Sequence, residues 1–241
     1  MGADQHLDWQ KAAASALDWW REAGVETLVD EAPRDWFRAA EAPALAPSSA
    51  RPPTAQPAAM PANLREFEAW RIGEAAPDSG WSTSIAPQGA AGSGLMVLVD
   101  MPEREDASTG QLVSGEAGRL LDRMLAAIGR DRQSIYLASL AVARPVSGQI
   151  AAEAHDRLAE IVLHQIALVR PKRLLLLGNA ASRAVLGANA AGARQTLHVL
   201  NHAGGESGVV ASFHPRLLLE RPAYKAEAWK DLLMVIGGIN Q

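Results

Sequence analysis

The sequence predicts an α/β fold, a three-layer α/β/α sandwich around a central, mainly parallel sheet. Three observations predict it. From Asn63 onward, apolar runs alternate with amphipathic segments of helical period, the pattern of successive strand–helix units. The apolar runs are continuous, as in Leu95-Met-Val-Leu-Val-Asp100, which suits strands covered on both faces. Each run ends in a polar or Gly/Pro-containing stretch. In open parallel sheets those carboxyl ends are where ligands sit.

The elements follow in order. Leu95–Asp100 is the first strand. Glu116–Gly129 is a helix, with Leu120, Leu121, Met124, Leu125 and Ile128 on one face. Ile135–Ala143 reads as the second strand. Ala151–Val169 is the second helix, ended by Pro171, which cannot continue it. Arg173–Leu177 is the third strand, closed by Gly178, and Ala180–Leu186 is the third helix. Thr196–Leu200 and Val209–Phe213 read as short strands, and Tyr224–Ile236 as the closing helix.

Upstream the composition changes. Pro43, Pro47, Pro52, Pro53, Pro57 and Pro61 fall amid Ala, Ser, Thr and Gln. Proline fixes φ and removes donors, so this stretch reads as a tether. The expected organisation is a helical N-terminal arm over 1–40, a Pro/Ala-rich linker over 41–62 and a main domain over 63–241. In the arm, Trp9, Ala13, Ala16, Leu17 and Trp20 recur at helical spacing, and four of the seven tryptophans lie in the first 36 residues. The plainer reading is a helix docked on the main domain. The other is an arm that binds a protein partner through tryptophan anchors.

Composition excludes several classes. The chain has 241 residues, a net charge of −4 and no cysteine. A disulfide framework, a cysteine nucleophile and thiolate metal sites are therefore ruled out. No apolar run reaches the roughly 18 residues of a membrane span. Met1–Trp9 carries Asp4 and Asp8 and no basic apolar signal, so a cytoplasmic monomer is expected. There is no Gly-x-Gly-x-x-Gly, P-loop, His-Glu-x-x-His or Gly-x-Ser-x-Gly. His198 and His202 are four apart without an acidic third ligand. No metal and no cofactor are expected.

Several segments carry a family resemblance. Gly110-Gln-Leu-Val-Ser-Gly115-Glu-Ala-Gly118-Arg-Leu-Leu-Asp122 is similar to Gly-Arg-Pro-Phe-Val-Gly-x-x-Gly-Gln-Leu-Leu-Asp of the iron–sulfur type of uracil-DNA glycosylase. Ile166–Gly178, Phe213–Pro222 and Lys225–Leu232 resemble its later motifs, in order and at near-family spacing. The resemblance covers about residues 63–237. It implies a DNA-repair glycosylase that hydrolyses an N-glycosidic bond to release uracil or a related base. It also implies DNA, single- or double-stranded, as the partner.

Carried over residue by residue, the resemblance puts Gly-Glu-Ala-Pro-Gly on Val99-Asp100-Met101-Pro102-Glu103. Asp100 then handles the attacking water and the cationic sugar. His214 hydrogen-bonds the departing base. Met101, Pro102, Val113 and Ser139 line the base, the last two in place of a stacking phenylalanine and a reading asparagine. Leu217 and Leu218 fall on the wedge that fills the emptied stack. Strand-end loops supply Arg104, Arg144, Ser147, Arg216 and Arg221 for DNA. Both motif glycines are replaced, by Val99 and Glu103, and no cluster cysteine is present. Packing around Phe67 and Trp70 is expected to replace the cluster's structural role. Glu103, Glu105 and Asp106 put negative charge where a phosphate would pass.

Each site residue has a plainer alternative. Asp100 could cap the next loop, His214 could be structural, and Ser139 and the leucines could be core. The corresponding alternatives for function are a catalytically silent relative serving as a DNA- or protein-binding module, and an unrelated nucleotide hydrolase with a phosphate site near Gly178-Asn179.

Overall fold

The computed structural model describes residues 14–15, 18–19 and 60–237. The chain divides into two units, Met1–Gln56 and Pro57–Gln241, and the account below concerns the second. The expected arm, and the linker up to residue 59, otherwise lie outside the described residues.

The sheet is formed by β1 (Gln88–Gly89), β2 (Leu95–Val99), β3 (Tyr136–Ser139), β4 (Arg173–Leu177), β5 (His198–His202) and β6 (Gly205–Ser212). Its spatial order is β1-β3-β2-β4-β6-β5. The four central strands are parallel, and β1 and β5 are antiparallel edges. The helices are α1 (Leu64–Ile72), α2 (Asp106–Thr109), α3 (Gly115–Ala127), α4 (Ala152–Val169), α5 (Asn179–Leu186), α6 (Ala190–Ala193), α7 (Pro215–Glu220) and α8 (Lys225–Ile236). The three-layer α/β/α sandwich with a central, mainly parallel sheet expected from the sequence is present.

Strand side chains alternate between faces, so the continuous apolar runs feed two cores. Val97, Val99, Leu175, Leu177 and Val210 pack with Leu121, Leu125, Leu218 and Leu232 from α3, α7 and α8. Met96, Leu98, Leu174, Leu176 and Val209 pack with Leu158, Val162 and Ile166 of α4 and Ala181 and Val185 of α5.

Two elements differ from the sequence expectation. The second strand stops at Ser139 instead of running to Ala143. Residues 140–143 stay buried, but the ladder ends once the Leu140 amide has donated to the Val99 carbonyl: the Ala141 amide turns to the Asp100 carbonyl and the Val142 amide to the Asp78 carboxylate. The last strands also shift, to His198–His202 and Gly205–Ser212, because they pair as a hairpin in which His202 faces Gly205.

The N-terminal helix is held by both apolar and charged contacts. The Phe67 ring lies 5.7 Å from Trp70 and 5.5 Å from His164. His164 Nε2 meets the Pro61 carbonyl at 2.8 Å. Tyr136 donates to Glu68 at 2.7 Å. Arg71 and Asp78 form a two-pronged ion pair, 1% and 0% exposed, and Arg71 also donates to the Leu140 carbonyl at 2.9 Å. Packing around Phe67 and Trp70 is therefore joined by a buried ion pair that the sequence did not announce.

Candidate active site

A cleft opens at the carboxyl ends of β2, β4 and β6, where a parallel sheet presents its loops. It has two lobes, of about 840 Å³ and about 450 Å³. Both are lined by Asp100, Glu103, Arg144, Asn179, His214 and Arg216, which form their common wall.

Asp100 leaves β2 and turns onto the start of α5. Its Oδ1 accepts from the Ala181 amide at 2.7 Å. Gly178 permits this approach: a Cβ there would stand 2.5 Å from the carboxyl, and its φ of +128° favours glycine. Burial raises the Asp100 pKa, opposed by the amides of Ala181, Ala180 and Asn179 and by the Arg216 charge. Asp100 thus caps a helix, and it also faces the cleft.

His214 follows β6 and caps α7. Its Nδ1 accepts from the Arg216 amide at 3.3 Å. The preceding Phe213 is clamped between the Arg194 guanidinium, 3.8 Å above its ring, and Tyr224, stacked at 4.7 Å. Arg194 is fixed in turn by Asp231 and Glu227. Burial lowers the His214 pKa to about 4, helped by Arg216. The imidazole is therefore neutral at pH 7. With Nδ1 accepting, its proton sits on Nε2.

This burial has a measurable cost in acid. The unfolded chain binds the proton near 6.5 and the folded one only near about 4. Stability is therefore lost as pH falls through that window, by about 3 kcal/mol from this group. The raised carboxyls of Asp100 and Glu103 act in the opposite sense. Urea unfolding at about pH 7 and about pH 4 should show a smaller acid loss for His214→Asn than for the parent. Equal losses would show that His214 carries no such penalty.

Glu103 is the site residue that sequence reasoning missed as a partner. Its carboxylate lies 2.9 Å from Arg216, 3.8 Å from Arg144 and 3.6 Å from His214 Nδ1. Because His214 is neutral, the last contact is not an ion pair. Burial raises the Glu103 pKa against the pull of both arginines. Arg183 and His155 also line the smaller lobe. No motif marked them, since their placement depends on helix packing. Asp106 does not face a passing phosphate. It is fully buried and accepts from the amides of Glu103, Val113 and Ser114 and from Ser114 Oγ.

The other expected site residues separate into two groups. Met101 lines the smaller lobe, and Pro102 is buried and gives its carbonyl to Arg144 at 3.0 Å. Arg104 and Leu217 line the larger lobe, and Arg144 and Arg216 line both. Ser147 and Arg221 are exposed and line neither lobe; Ser147 Oγ donates to the Gln149 carbonyl and Arg221 to Tyr224. Val113, Ser139 and Leu218 correct the expectation. Val113 is fully buried in the α3-side core and offers a base no face. Ser139 is 3% exposed, lines neither lobe, and its Oγ has no hydrogen-bond partner. Leu218 is 1% exposed, committed to the core, so it is not a wedge; Leu219, 38% exposed, lines the cleft instead.

Val113 also has a φ of +52°, unusual for a β-branched residue. Asp106 and the close seat of Gly118 on the Val113 carbonyl hold it there. A larger ring has no room, so Val113→Phe should destabilise by about 1–3 kcal/mol through overpacking. Denaturant midpoints of parent and variant check this, and an unchanged midpoint would disprove the tight seat.

The fold and cleft define an α/β/α domain with its candidate site at the carboxyl ends of a parallel sheet, and comparison with known proteins gives its family. The uracil DNA glycosylase superfamily profile matches residues 86–233. The chain belongs to that superfamily. It is 24% identical over 162 residues to a type-4 uracil-DNA glycosylase of Pyrobaculum aerophilum, covering 64% of this chain and 83% of the relative. It is 24% identical over 144 residues to one of Archaeoglobus fulgidus, covering 57% and 72%. An iron–sulfur cluster, implied by the resemblance, does not fit these residues. The chain has no thiolate donor, and among the described residues no three His, Asp or Glu side chains converge for a metal. Among the described residues no helix is long and apolar enough to cross a membrane.

Proposed function

We propose that the protein is a DNA-repair glycosylase that binds DNA and releases uracil or a related damaged base. The observation that carries this reading is the convergence of Asp100 and His214, from the ends of β2 and β6, on one cleft. The names of the relatives, which act on uracil in DNA, point the same way.

The chemistry assigns distinct roles. As the C1′–N bond breaks, negative charge collects on the base and positive charge on the sugar. The Nε2–H of neutral His214 donates to the base oxygen without first losing a proton. The Asp100 carboxylate stabilises the cationic sugar and orients a water. The water oxygen bonds to C1′, its proton leaves through Asp100 to solvent, and the base departs as an anion that is then protonated. Arg144 and Arg216 face the cleft to hold the strand.

A second reading has its own support. Val113 and Ser139 are buried away from the cleft, so the positions expected to stack and read the base do neither. A catalytically silent DNA- or protein-binding module fits that feature. A time course of abasic-site formation on single-stranded uracil DNA separates the two. Abasic sites above the uncatalysed rate support the glycosylase, and DNA binding without them supports the module.

A further inference from the structure

Glu103 stands where an external anion would be expected. Two guanidinium groups converge on its carboxylate from two separate segments, Arg144 after β3 and Arg216 in α7; His214, two residues before Arg216, stands 3.6 Å away but is neutral and gives the carboxylate no proton. It belongs to the wall common to both lobes, and its side chain is only 15% exposed.

The surroundings of the two arginines are built for a ligand of this charge. Arg144 is held in place independently of Glu103: its Nη1 donates to the Pro102 carbonyl. Gly148, with φ +71°, turns so tightly over it that a Cβ there would lie 3.2 Å from Nη2. Arg216 is 53% exposed and also lies 4.0 Å from Glu220, so it can adjust. The Glu103 backbone is pinned because its amide donates to Asp106 at 2.8 Å. The carboxylate is thus the movable part of the cluster. The polarity of the lobes gives a side. The larger one adds three carboxylates, Glu105, Glu116 and Glu220, against one cation, Arg104, whereas the smaller adds Arg183 and no carboxylate.

We propose that Arg144 and Arg216 form a phosphate-binding site, open toward the smaller lobe, and that the Glu103 carboxylate occupies it as an internal stand-in that a phosphate group displaces. The exchange is charge for charge: one carboxylate leaves two cations and one phosphodiester replaces it. Affinity for phosphate is therefore reduced by the work of expelling Glu103, and the site discriminates against weakly held polyanions. That the phosphate belongs to a DNA strand rests on the functional reading above; the phosphate site itself does not.

The test compares the parent with Glu103→Gln and Glu103→Gly, each checked for folding by circular dichroism. Two probes are titrated at low salt: inorganic phosphate, and a fluorescent single-stranded oligothymidylate. Both variants should bind both probes about tenfold more tightly. The salt dependence for the oligonucleotide should steepen, since each freed arginine that meets a phosphate adds about 0.7 to the logarithmic slope for a single strand. Arg216→Gln in the Glu103→Gln background should cancel most of the gain. A gain for phosphate alone upholds the site and counts against DNA as its ligand. Unchanged phosphate affinity in the folded variants overturns the proposal.

Discussion

Asp100→Asn is expected to slow uracil excision by roughly 10²–10⁴-fold, the range supplied by a positioned general base. The substitution separates the two roles of this side chain. Asparagine is as good a helix cap as aspartate, so it can still accept from Ala181, as Asp100 does at 2.7 Å. The packing of the carboxyl against Gly178 is likewise matched in size. What disappears is the negative charge beside the cationic sugar and the acceptor for the proton of water. Thermal midpoints and oligonucleotide affinity should stay near those of the parent while abasic-site formation falls. If excision by the variant equals that of the parent, Asp100 is only a cap and the water is activated elsewhere in the cleft.

The second large effect is on stability. Asp78→Ala should destabilise the domain by about 3–5 kcal/mol, the cost of leaving one member of a buried ion pair alone. Arg71 is 1% exposed and its guanidinium has no route to water. The substitution also removes the acceptor for the Val142 amide, bound at 2.7 Å. It therefore removes the Asp78 bridge between α1 and the segment that leaves β3, leaving the Arg71 bond to the Leu140 carbonyl. Arg71→Met combined with Asp78→Ala should cost less than Asp78→Ala alone, because no charge is then stranded. Urea unfolding of the three proteins gives the numbers. A shift below about 1 kcal/mol for Asp78→Ala would show that the aromatic contacts of Phe67 suffice.

The central strands were readable because burial on both faces leaves a continuous apolar run, as in Leu95–Val99 and Arg173–Leu177. The early end of β3 was not, since Leu140–Ala143 is as apolar and as buried as the strand itself. Only the tertiary demands of Asp100 and Asp78 on the amides of Ala141 and Val142 end the ladder. At the site, Asp100 and His214 could be read from strand-end position together with family resemblance. Glu103 appeared in sequence as a repulsive charge because its partners lie about 40 and about 110 residues away. Val113, Ser139 and Leu218 share a different difficulty. Loop residues, strand ends and a six-residue helix such as α7 carry too short a period to say which way a side chain faces, so their burial emerges only from packing.

The hairpin of β5 and β6 leaves β5 at the margin of the sheet. His198 and His202 turn their rings back to Ala193 and Ser207, while Val199 is 59% exposed and the preceding Leu197 44% exposed. Thr196 to Ala203 contains no lysine, glutamate or proline, the residues with which proteins usually guard an open strand. Among the described residues nothing pairs with the outer side of β5. If the protein self-associates at high concentration, this strand is where backbone hydrogen bonding to another molecule is expected to begin. It would do so on the margin of the sheet, away from the carboxyl ends that carry the cleft, so an aggregated sample can retain an intact site.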